Sequence, residues 1–156
     1  MRVTIAAIGR LKGGPEAALV DGYLSRASAA GRALGLSPFE HLELDSKPPS
    51  DPRKEAGLLL KATPDGARTV LLDERGAQWT SREMAQKLAA WRDEGTAALC
   101  FWIGGPDGAA QGLKDQAQEK LAFGRQTWPH RLVRAMLAEQ LYRAVSILGH
   151  APYHRD

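Results

Sequence analysis

A single cysteine, Cys100, stands in a chain of 156 residues. One thiol allows no internal disulfide. Its place inside the apolar run 97–103 suits packing better than nucleophilic attack. No hydrophobic run reaches the ~20 residues that a membrane-spanning helix needs. The first residues also lack a secretory leader pattern, so a cytoplasmic location is expected. Aromatics are scarce at 6%, which draws attention to the four tryptophans, Trp79, Trp91, Trp102 and Trp128. Core or interface packing is the commoner use of such residues, and base stacking is the alternative. G-x-G-x-x-G, G-x-x-x-x-G-K-[ST] and G-x-S-x-G are all absent, which removes the usual dinucleotide, P-loop and serine-hydrolase signatures. His150 and His154 are four apart, but Pro152 lies between them and no cysteine or acidic cluster accompanies them. No metal site is expected there. Repeats, low-complexity segments and an interior linker are missing too, so residues 1–156 are read as one domain with a single core.

What is present is unevenly distributed. The net charge of +3 is small, but residues 120–156 carry six Lys/Arg against Glu139 and Asp156. Three of the four histidines lie in the same quarter. A basic, histidine-bearing C-terminal region fits a polyanionic partner such as nucleic acid, and a solvated basic helix face is the competing reading.

The apolar pattern alternates short strands with helices. Val3–Ile8, Phe39–Leu44, Thr69–Leu72, Ala97–Ile103 and Leu121–Phe123 read as strands. Helices are expected over 15–34, with Leu19, Tyr23 and Leu24 on one side, and over 53–61 and 113–118. Another starts at a Thr80/Glu83 capping box and runs to about Trp91. The last runs from Pro129 to Leu148. The segment 47–52 holds three prolines and reads as a loop. This alternation predicts an α/β fold with a mostly parallel sheet. Ligands in such folds collect at the carboxyl ends of strands, where 73–79, 104–108 and 124–128 are the candidate loops. Gly104-Gly105-Pro106-Asp107-Gly108 suits a close approach of backbone to a ligand, because two adjacent glycines present no Cβ. A tight strand-to-helix turn is the other reading of the same residues.

The chain ends on Pro152-Tyr153-His154-Arg155-Asp156. Pro152 stiffens the approach, and an imidazole, a phenol and a guanidinium then follow in series. The expectation is an ordered tail that meets a catalytic pocket, of this subunit or of a partner. Tyr153, His154 and Arg155, with His130 and Arg134, form the candidate set for proton transfer and anion stabilisation. His130 also has a plain reading as a helix-start residue. Arg134 and Arg143 do as surface charges, with Arg143 paired to Glu139 four residues before it.

Four motifs occur in order: LDERGxxW at 72–79, FWIGGPDG at 101–108, TWPHRLVRAMLAEQLYRA at 127–144 and PYHR at 152–155. Their combination resembles the RlmH family of bacterial rRNA methyltransferases over essentially the whole chain. The resemblance implies a SPOUT-type knotted α/β fold with a C-terminal trefoil knot, and S-adenosylmethionine as methyl donor. It also implies a homodimer, with 23S rRNA of the assembled 70S ribosome as partner and N3 of a pseudouridine as target. No metal is implied. The donor site carried over covers Leu72, Gly104, Gly105 and the segment Phe123, Gly124, Arg125, Gln126, Thr127 and Trp128. At 124–126 the sequence departs from the Ser-rich stretch common in relatives, so contacts there are expected through backbone. For the dimer, the apolar set Val133, Met136, Leu137, Leu141 and Val145 is the expected contact face.

Overall fold

The structure, a computed structural model, describes residues 1–155; Asp156, the last residue of the predicted tail, lies outside the described residues. Five parallel strands form one sheet in the order β2-β1-β4-β3-β5. They are β1 (Arg2–Ile8), β2 (Phe39–Leu44), β3 (Arg68–Ala77), β4 (Ala98–Ile103) and β5 (Glu119–Leu121). The helices are α1 (Pro15–Gly31), α2 (Pro52–Ala62), α3 (Ser81–Asp93), α4 (Gln111–Gln116) and α5 (His130–Leu148).

Strand periodicity sorts the core into two layers. Val3, Ile5, Leu99, Phe101 and Ile103 face one way, beneath α1, α3 and α5. Ala6, Ile8, Leu71, Cys100 and Trp102 face the other, beneath α2 and α4. Strands covered on both faces read as continuous apolar runs, and β1 and β4 do. Cys100 is buried and free, and burial raises its thiol pKa. The Trp102 indole donates to Thr63 Oγ1 at 2.8 Å, so that tryptophan serves the core.

Most predicted elements recur within a few residues, and three differences bear on the site. First, β3 does not stop at Asp73 but continues to Ala77, past a register shift between Leu72 and Ala77. The expected 73–79 loop is therefore a bulged strand edge against β5. Gly76 permits the approach: a Cβ there would lie 2.6 Å from Leu121 backbone atoms. Second, Leu19 points outward at 45% exposure, while Val20 and Leu24 carry the buried side of α1. Third, Leu137, Leu141 and Val145 of α5 are at most 1% exposed. They fill the core and cannot supply the dimer contact expected of them. Of the expected face, Val133 and Met136 remain partly exposed, as do Tyr142, Ile147 and Leu148, and Leu132 is the exposed apolar residue of α5.

Candidate active site

Because all five strands are parallel, their carboxyl ends lie along one edge of the sheet. A cavity of about 550 Å³ opens there beyond β3, β4 and β5. Its wall comes from residues 72–74 after the regular part of β3, 103–109 after β4, and 121–124 with 126–130 between β5 and α5, completed by Lys114 of α4 and Val133 of α5. Of the nine residues assigned to the donor site, eight line it. Arg125 does not, and it is exposed.

The glycine pair forms the bare part of that wall. A Cβ on Gly104 would sit 3.4 Å from Gly108 backbone, close to ordinary contact. A Cβ on Gly105 would sit 2.7 Å from the carboxylate of Glu55, inside any normal contact. Opposite, the 123–128 segment is tied down. The Trp128 indole donates to the Phe123 carbonyl at 3.1 Å, and Thr127 Oγ1 donates to Glu74 Oε2 at 3.4 Å. The residues that depart from the common family pattern thus sit in a loop closed by its own hydrogen bonds. Sequence reasoning missed the pair Asp73–Lys114, also on the wall, with Nζ and Oδ2 2.9 Å apart. The carboxylate side chain is only 6% exposed. It loses solvation on burial, yet Lys114 and the Arg75 amide hold its pKa below the ordinary value. Nothing local to Lys114 in the sequence announces this; the pairing spans 41 residues.

His130 opens α5 at the cavity rim. Partial burial, then the charges of Arg134 and Arg131, hold its pKa below 6.5, opposed by Glu55. Its ring is therefore neutral at pH 7 and able to accept a proton.

Arg134 is neither a surface charge nor a wall residue. It is fully buried, and its guanidinium donates to the carbonyls of Ile8 and Gly9 at the end of β1, the latter at 2.9 Å. Glu43 of β2 lies 3.7 Å away. The sequence placed Arg134 among the groups that touch substrate; in the structure it clamps strand ends and acts on His130 through its charge.

The tail is ordered, but at the other end of α5. His150 adopts a left-handed turn (φ 54°), and the Ala151 amide bonds back to the Ser146 carbonyl at 2.9 Å. The chain then folds along the helix. Tyr153 lies 4.6 Å from the Tyr142 ring, and its hydroxyl donates to Glu139 Oε1 at 3.0 Å. Arg143 sits over the Tyr153 ring at 4.8 Å and makes a short ion pair with Glu139. It also reaches His154 Nδ1 at 3.3 Å. Arginine only donates, so Nδ1 is the acceptor in that contact. Arg155 is exposed. Burial first, then the neighbouring Tyr23 and Glu139, push the Tyr153 pKa up, which keeps the phenol protonated. Thirteen residues of helix separate His130 from Arg143, roughly 20 Å at 1.5 Å per residue. The five residues expected to act together therefore form two groups within one chain.

The family comparisons agree with this architecture. A profile described as "Predicted SPOUT methyltransferase" matches residues 1–154. Proteins called ribosomal RNA large subunit methyltransferase H are similar along their whole length. Those of Maricaulis maris and Phenylobacterium zucineum are 51% and 52% identical over 156 residues, covering all of both chains. That of Roseobacter denitrificans is 50% identical with the same coverage. Among solved structures, a probable methylase family protein from Haemophilus influenzae Rd KW20 shares the fold. Its TM-score is 0.51 at 13% identity, over 99% of this chain and 70% of that one. A chain with this sheet, this glycine-walled cavity and these full-length relatives belongs to the SPOUT methyltransferases and, within them, to the RlmH family.

Proposed function

We propose that the protein methylates 23S rRNA in the assembled ribosome, at N3 of a pseudouridine, with S-adenosylmethionine as donor. The observation that carries this reading is the cavity beyond β3, β4 and β5, with its glycine wall and its neutral histidine on the rim. The residues present fit such a donor. At about 550 Å³ the space is of the size that small cofactors occupy. Gly104 and Gly105 leave main chain bare for contact, and Leu72, Phe123 and Trp128 offer apolar surface. Leu72, Gly104, Gly105 and the 123–128 segment would hold it, chiefly by backbone. The donor supplies an electrophilic sulfonium methyl group. The protein supplies alignment and a place for the N3 proton, and His130 is the acceptor within this chain. The expected trefoil knot belongs to this reading, since it would bring the carboxyl-end loops together.

The tail enters through a second subunit. Leu19 and Leu132 are both exposed and, with Trp79 and Met136, line a groove of about 600 Å³ next to the donor cavity. An isologous dimer through this groove would bury it. It would also bring one chain's Tyr153, His154 and Arg155 to the other chain's cavity, which removes the 20 Å problem. The protein would act in the cytoplasm, where its ribosomal partner is.

Calorimetry with S-adenosylmethionine and mass spectrometry of 23S rRNA from a deletion strain test the proposal together. The expected results are stoichiometric binding and a pseudouridine that lacks one methyl group until the gene is restored. An unchanged rRNA methylation pattern in the deletion strain would refute the substrate. Absence of binding would refute the donor and favour a non-catalytic ribosome-binding protein.

A further inference from the structure

The wall of the cavity has a buried negative charge behind it. Glu55, in the first turn of α2, is 3% exposed. Its Oε1 accepts from the Ser50 hydroxyl at 3.1 Å, and its Oε2 is buried with no hydrogen-bond partner. Both oxygens press against Gly105: a Cβ there would lie 2.7 Å from one and 2.9 Å from the other. Gly105 is thus a thin partition between this carboxylate and the cavity that it lines. At the start of α2 the Arg53 and Lys54 amides are taken by the Asp51 side chain, so the helix end supplies no partner for Oε2, and a buried polar oxygen left without one costs free energy.

Other acids on the wall are balanced or wet. Asp73 is paired with Lys114 at 2.9 Å, and Glu74 and Asp107 are exposed to screening by solvent. Arg134, the buried cation nearby, is engaged by Glu43 and two carbonyl oxygens. The Glu55 charge also acts at His130 on the rim, where it opposes the effects of burial, Arg134 and Arg131.

We propose that Glu55 is a specificity-determining residue: through Gly105 its carboxylate favours a cationic occupant of the cavity over a neutral one of the same shape. The inference rests on the donor reading above. The sulfonium donor carries a positive charge, whereas the thioether left after its methyl group has gone carries none at sulfur. A carboxylate in a poorly screened position rewards the first and not the second, so donor is retained and spent product released.

The test is calorimetry on the full-length protein with three ligands. S-adenosylmethionine and sinefungin are cationic at the reacting position; S-adenosylhomocysteine is neutral there. Glu55→Gln should weaken the two cationic ligands about tenfold, the effect of one nearby opposite charge, and change S-adenosylhomocysteine by less than about twofold. Equal weakening of all three would make Glu55 a structural support only, and no change in any would remove it from the site. The wild-type protein gives a reading that does not depend on the variant's folding: sinefungin must bind more tightly than S-adenosylhomocysteine. Equal affinities would overturn the inference while leaving the donor reading intact. Failure of all three to bind the wild-type protein would overturn both.

Discussion

Arg134 shows how chemistry at a single residue is redirected by burial. In a sequence it is a basic residue four positions after a histidine, well suited to an anion. In the structure every outward route is closed, and its donors satisfy two carbonyls that β1 leaves at its end. Arg134→Lys keeps the charge but loses the planar fork, so one carbonyl is left bare. It should lower unfolding free energy by about 2–3 kcal/mol, read from denaturant midpoints. His130 and His41 provide a second expectation at this scale. Both are held below 6.5, chiefly by burial and also by Arg134. The unfolded chain therefore takes up protons first, and stability falls as the pH drops below 6.5. Aspartates with lowered pKa values, such as Asp73, add their loss only nearer their ordinary 3.8. Denaturation at pH 7.5 and at about pH 5.5 should show this decline, and His130→Gln should lessen it.

At the scale of elements, ends matter more than middles. The helix α3 starts at a complete capping box, with Thr80 Oγ1 accepting from the Glu83 amide and Glu83 accepting from the Thr80 amide. Thr80→Ala should cost about 1 kcal/mol in thermal unfolding and leave donor binding alone. Gly76 makes a harsher case. The β3 edge crosses β5 so closely that a methyl group there would overlap Leu121 main chain at 2.6 Å. Gly76→Ala should destabilise by about 1–3 kcal/mol and loosen the Leu72–Glu74 wall. Weakened S-adenosylmethionine affinity in the folded variant, seen by calorimetry, would be the functional sign. The capping box is readable from two residues three positions apart. The β3–β5 crossing involves residues 45 apart and has no local mark except a glycine.

For the whole molecule, the proposed function requires His130 at the start of α5 and the tail packed along its second half to meet in one site. If the tail completes the partner's cavity, deletion of residues 152–156 should leave folding and dimerisation nearly intact. The core ends at about Leu148, and the tail adds only contacts to the partly exposed face of α5, at Glu139, Tyr142 and Arg143. Methylation of ribosomes should fall on the order of 100-fold or more. A mixture of tail-deleted chains with His130→Ala chains should regain activity, because each mixed dimer holds one complete site. A mixture no more active than its parents would place both groups in the same subunit's work. Leu132→Glu should give monomers by sedimentation and abolish methylation, while the donor still binds.

The sequence by itself determined the alternation of strands and helices, the glycine turn after β4, the capping box and the resemblance to one family. These are local or ordered along the chain: period-2 runs, a hydroxyl three residues before a glutamate, motifs in series. The resemblance singled out Leu72, Gly104, Gly105 and the 123–128 segment, and all of these but Arg125 line one cavity at the edge where parallel strands deliver their carboxyl ends. Tertiary structure alone decided which side of α5 is core, because α1 and α3 cover Leu137, Leu141 and Val145 and leave Leu132 outside. It placed Asp73 against Lys114 and Glu55 behind Gly105, pairings between strands and helices distant in the chain. It also set the tail against Glu139, Tyr142 and Arg143, in the second half of α5, while His130 opens that helix. Burial and long-range contact are properties of the packed chain, and no residue's neighbours in sequence carry them.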